Sequence, residues 1–131
     1  MLSEQGQRIL AELEEAGFEN VSCIINTVCL VSGDAKELAE NLAAIDEIVI
    51  KGFAQVAYEN EALGKLESIS TQASMGAIAE FEKKIAFDVA EGIWKWDRHS
   101  SRAYLRLTGS GLQKSRQILS ERGHQWWLQK P

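Results

Sequence analysis

Two apolar rhythms alternate along this chain, and their alternation most constrains its fold. Leu38, Leu42, Ile45 and Val49 recur at i, i+4, i+7 and i+11, the spacing of a helix that buries one face. Ile9, Leu10 and Leu13 share one helical face in the same way, with glutamates on the other. Elsewhere the period is two. Trp94 and Trp96 have one parity, and Leu105 and Leu107 alternate with Tyr104 and Arg106, as strands with one packed face require. Short segments of both kinds predict an α+β fold. The single proline is Pro131, so the turns fall to Gly, Asn, Asp and Ser.

Read in order, residues 3–16 form a helix with Ser3 as N-cap and Gly17 as the glycine beyond its end. Residues 21–31 are rich in β-branched side chains and predict two short strands, about 20–25 and 28–32, turning at Asn26-Thr27. A single helix capped by Asn20 is the alternative. Asp34 caps the next helix, and Glu37 three residues on resembles a capping box. That helix ends near Lys51-Gly52, and residues 53–58 form a strand. Leu63, Leu66 and Ile69 suggest a short connecting helix. Ile78, Phe81, Ile85, Val89 and Ile93 line a longer one that Gly92 ends. Strands at about 93–97 and 103–108 flank the loop DRHSSR as a hairpin. Residues 109–123 form a helix, and HQWWLQ a last strand. The order helix-strand-strand-helix-strand thus describes residues 3–58 and again 75–129. The expected architecture is two similar units, 1–60 and 74–131, packed as one compact domain over residues 1–131. The alternative is a helical N-terminal part joined to a winged-helix-like C-terminal part.

Charge divides the chain unevenly. Residues 1–92 hold six Lys/Arg against seventeen Asp/Glu, and residues 93–131 hold eight against two. Either the C-terminal part meets an anionic partner or it meets the protein's own acidic half. The N-terminus carries Glu4, Glu12, Glu14 and Glu15 and has no apolar signal core. No apolar run reaches about 18 residues, so no membrane span is expected. Cys23 and Cys29 read as two buried thiols of a cytoplasmic protein. Their spacing is not that of a zinc site, and no motif points to a cofactor.

The segment SSRAYLRLTGSGLQKSRQILSERG resembles the wing and following helix of winged-helix regulators of the MarR type. That resemblance implies a DNA-recognition helix just before the hairpin, where this chain carries Glu80, Glu82, Asp88 and Glu91. Residues 3–58 resemble a BON-type module in element order.

The candidate binding surface is residues 94–116. Trp94 is expected on the packed face, and Arg98, Arg102, Arg106, Lys114 and Arg116 supply the positive charge. Trp126 and Trp127 add aromatic area, because adjacent strand residues face opposite ways and one Trp must then be exposed. No set of residues has the arrangement of a catalytic site. The first functional expectation is a non-enzymatic accessory protein that binds a protein partner or itself as a homodimer. The alternatives are a nucleic-acid-binding regulator using the basic hairpin, and a small-ligand binder with a pocket between the two units.

Overall fold

The computed structural model describes residues 1–129. The chain is an α+β protein. Helix α1 (Glu4–Leu13) leads into strand β1 (Phe18–Asn20), then α2 (Val21–Val28) and α3 (Ala35–Ile50). The hairpin β2 (Ala54–Asn60) and β3 (Lys65–Ser68) follows, then α4 (Thr71–Phe81), β4 (Ile85–Asp88), β5 (Ile93–Trp96), β6 (Tyr104–Leu107) and α5 (Gly109–Arg122). A 3-10 turn, Trp126–Leu128, ends the described chain. A four-stranded antiparallel sheet has the order β1-β6-β2-β3, and β4 and β5 form a separate two-stranded sheet. No helix among the described residues is long and apolar enough to cross a membrane.

The expected pair of like units is not what the chain builds. The first sixty residues run α-β-α-α-β and the remainder β-α-β-β-β-α. The element order expected of a BON-type module is therefore not met. The two halves are instead laced together. Strand β6 lies between β1 and β2, with Leu105 opposite both Glu19 and Val56. Gly17 and Ala103 extend the β1 ladder at its two ends, Gly17 C=O accepting from Leu107 N and Ala103 C=O from Val21 N. Strands β5 and β6 do not pair, so the basic segment is not a hairpin and the winged-helix alternative fails with it.

Each misread element has a physical reason. Residues 21–28 form a helix because Val21, Ile24, Ile25 and Val28 fall on one face and are fully buried, which outweighs their β propensity. Asn20 caps it by accepting from Ser22 N. Residues 61–64 turn a hairpin, and Leu63 points to solvent, so no connecting helix forms. The stripe from Ile78 breaks after Phe81. Val89 is 85% exposed, in a turn closed by Gly92 at φ 69°, a conformation glycine adopts without strain. Ile85 and Phe87 then share a sheet face with Trp96 and Trp94, directly opposite them. The terminal HQWWLQ forms the 3-10 turn and not a strand.

Most polar groups that these breaks would strand are satisfied. Val56 N–H faces β3, but the chain has already turned toward α4 there. The buried Ser74 Oγ accepts that N–H at 2.9 Å. Strand β5 has a free outer edge, and Asn26 fills it. Its side-chain amide accepts from Trp94 N at 2.8 Å and donates to Trp94 O at 2.9 Å, as a neighbouring strand would. Glu37 does not close a capping box on Asp34. It accepts from Ser32 N and Oγ and from Trp94 Nε1 at 2.9 Å. Burial pushes the Glu37 carboxyl up, but these hydrogen bonds outweigh it and hold it below the usual carboxylate range.

Helix α5 starts hard against the sheet. Thr108 Oγ1 accepts from Gly111 N and donates to Gly52 O at 2.6 Å, and Thr108 N donates to Phe53 O. A Cβ on Gly111 would overlap the Phe53 carbonyl, whereas one on Gly109 would meet open space. Replacing Gly111 by Ala must therefore push α5 off the sheet. We expect G111A to lose on the order of 2 kcal/mol or more in denaturant unfolding, with G109A near the unmodified protein.

Candidate functional site

The residues expected to form one binding surface are distributed over five places. Trp94 is 4% exposed and belongs to the core, edge-on to Phe87 at 5.3 Å. Arg98 and Arg102 are exposed on the loop between β5 and β6. Arg106 lies on the outer sheet face and donates to Leu66 O at 2.8 Å. Lys114 and Arg116 are on α5, and Trp126 and Trp127 sit beside α1 in the terminal turn, both half-buried. Of the two cysteines, Cys29 is buried and Cys23 exposed, so only one of the two expected buried thiols is buried, and no disulfide joins them.

The structure gives a direct account of much of the charge division. Helix α5 packs on α1, and basic residues of α5 meet acids of α1. Arg122 grips Glu4 with both guanidinium ends, at 2.7 and 2.9 Å, a paired geometry that strengthens the contact. That hydrogen bond holds the Glu4 carboxyl below its usual range. Arg116 lies 3.6 Å from Glu14. Lys95 pairs across its hairpin with Asp88 and Glu91. The Gly-rich start of α5 is occupied by its own caps, Thr108 on Gly111 N and on Gly52 O.

Helix α1 also fixes the terminal turn. Arg8 is 8% exposed, and its Nη1 donates to Trp127 O at 3.0 Å and to Gln129 O. The Arg122 guanidinium lies over the Trp126 ring, 3.6 Å from its centre, and that of Arg8 lies 5.2 Å from it. Cation–π attraction holds the indole in place. Because the segment is a 3-10 turn, strand alternation does not govern the two tryptophans, and Trp127 leans toward a groove on the other side.

That groove is the most distinctive surface of the molecule. It holds about 610 Å³ between the end of α1, the start of β1 and the terminal turn. Its apolar lining is Phe18, Leu119, Trp127 and Leu128, of which Phe18 is 44% and Leu128 46% exposed. Its rim carries Glu12, Glu14, Glu15 and Glu19, with His124 opposite. Only Glu14 has a cation within 4.0 Å among the described residues. Burial, then Glu19 and Glu15, push the Glu12 carboxyl above its ordinary range. In the sequence Glu12, Glu14 and Glu15 read only as the polar side of a helix, and Phe18 and Glu19 carry no pattern that marks a site. The groove exists because the chain returns to α1 more than a hundred residues later, which no local pattern announces.

Among the described residues no group of three or more His, Cys, Asp or Glu is placed to hold a metal ion. Comparison with protein-family models, with curated proteins and with solved structures finds no match to this chain.

Because the fold raises the Glu12 pKa, it favours the protonated form, and ionised Glu12 costs stability. The cost is absent below the unfolded carboxylate pKa and sets in as pH rises through the higher folded value. We expect Glu12→Gln to raise the melting temperature at neutral pH. The gain should shrink to nothing under acid conditions, as followed by circular dichroism.

Proposed function

We propose that this chain is a non-enzymatic protein-binding module, and that the groove beside Trp127 takes a cationic, amphipathic segment of a partner protein. The observation that carries this reading is the pairing of exposed apolar side chains with unneutralised carboxylates at one place. Phe18, Trp127 and Leu128 offer area whose burial is favourable at about 25 cal/mol per Å². Glu15 and Glu19 repel Glu12, and among the described residues none of the three has a cation within 4.0 Å. A segment with Leu or Phe on one side and Lys or Arg on the other satisfies both needs. Aromatic anchors within a charged rim are the common anatomy of protein interfaces.

The nucleic-acid alternative has less to draw on. Arg116, Arg122 and Lys95 face carboxylates of the same chain, and Arg106 is tied to a backbone carbonyl. Arg98, Arg102, Arg106 and Lys114 form no ion pair among the described residues, but they lie on three separate elements, the loop between β5 and β6, β6 and α5. So few charges, spread over separate elements, give little of the counterion release that drives phosphate-backbone binding.

The test is fluorescence anisotropy with a labelled peptide of alternating Lys and Leu turns, and with its Glu counterpart. The Lys peptide should bind and weaken as salt rises, while the Glu peptide should not bind. Trp127→Ala and Phe18→Ala should each weaken binding at least about tenfold, or ~1.4 kcal/mol. The double change Glu15→Gln with Glu19→Gln should flatten the salt dependence. Equal binding of both peptides would defeat the proposal.

A further inference from the structure

A second concave surface lies at the other end of the sheet, where β2 and β6 part. Their register ends at Ala57 opposite Tyr104. Continued, it would set Glu59 opposite Arg102. Instead, no backbone hydrogen bond joins Glu59 to Arg102 among the described residues, while Ala103 C=O stays on the β1 side and accepts from Val21 N at 3.0 Å. The preceding loop folds back on itself, with Asp97 N on Lys84 O and Asp97 Oδ1 accepting from His99 N. Strand β2 runs on to Asn60 with only β3 beside it. Phe53 O accepts from Thr108 N, so the odd-numbered residues of β2 turn their peptide groups toward β6. The N–H and C=O of Glu59 therefore face the gap.

The gap is a cleft of about 700 Å³ lined by Tyr58, Glu59, Glu61, Lys84, Arg102 and Tyr104, with Ser101 at its lip. Two carboxylates and two cations share this lining, yet no ion pair within 4.0 Å joins any of them among the described residues. The hydroxyls of Tyr58 and Tyr104 are likewise unbonded among the described residues. Burial pushes the Tyr58 phenol up, so it stays a neutral donor.

We propose that this cleft binds a small zwitterion of amino-acid or dipeptide size, its carboxylate on Arg102 and Lys84 and its ammonium on Glu59 and Glu61. A simple anion entering the cleft meets two carboxylates, and a simple cation meets Lys84 and Arg102. A molecule carrying both charges a few ångströms apart satisfies both ends at once. The planar fork of Arg102 matches a carboxylate. The exposed peptide group of Glu59 and the two phenols can hold an amide between the ends. The volume falls in the range of small-molecule sites. This cleft and the groove at Trp127 share no residue, so the two proposals stand or fall separately.

The test is a titration of the full chain, followed by amide chemical shifts, with alanyl-alanine, and separately with acetate and with ethylamine. Alanyl-alanine should shift the amides of residues 58–61 and 101–104 together and saturably. Arg102→Gln and Glu59→Gln should each weaken it at least about tenfold and leave the remaining spectrum in place, both side chains being exposed. The proposal is overturned if acetate or ethylamine alone saturates the same amides as tightly. It is overturned equally if alanyl-alanine leaves them unmoved up to ~20 mM, a concentration well above a millimolar Kd.

Discussion

Strand β6 is the element on which the rest of the structure depends. It is four residues long, yet it supplies the hydrogen-bond partners of both β1 and β2. Leu105 at its centre is fully buried between Val56 and α1. Without it, two strands from the first half would lie a strand's width apart with their peptide groups unpaired, at a cost of kilocalories per buried group. The same strand sets the start of α5 through Thr108 and the close approach at Gly111. Helix α5 in turn carries Arg122 and Arg116 back to α1. The sheet therefore decides where the terminal turn lands, and with it the groove. Where the pairing of β6 with β2 ends at Tyr104, the second cleft opens.

Elements fixed by local chemistry were legible in the sequence. Ser3 and Asp34 cap the helices their positions announce, and Gly17 and Gly52 follow helix ends. The stripe Leu38, Leu42, Ile45, Val49 is buried as its spacing requires. The parity of Trp94 and Trp96 correctly placed them on one packed face. Elements decided by distant partners were not legible. Val21, Ile24, Ile25 and Val28 satisfy both a strand's composition and a helix's spacing, and the burial of all four settled it. Ile78, Phe81 and Ile85 fit one helix until Phe87 finds Trp94 across a hairpin. The pairing partner of β6 was misassigned because adjacency in sequence favoured β5.

The candidate sites were less legible than the fold, for the same reason. Of the charged residues singled out from the sequence, Arg116 and Arg106 spend their charge or donors within the chain, while Arg102 reaches a cleft whose acids come from β2. The acidic half and the basic tail are complementary surfaces of one molecule along α1 and α5. Net charge by segment thus reported an internal interface. Among the charges without an ion pair among the described residues are Glu12, Glu15 and Glu19 on one end and Glu59, Glu61, Lys84 and Arg102 on the other, and the segment totals conceal them.

Asn26 stands in for a whole strand along the edge of β5, and this ties the durability of the protein to one amide. The carboxamide works there because it presents one donor and one acceptor in the spacing of a peptide group. Hydrolysis to Asp, the ordinary ageing reaction of asparagine, leaves the chain length and nearly the shape unchanged. It removes the donor, however, and sets a carboxylate oxygen against Trp94 O. Trp94 N–H would keep its acceptor while Trp94 C=O lost its donor, leaving a half-satisfied strand edge beside two large indoles, the kind of surface through which one aged molecule recruits another.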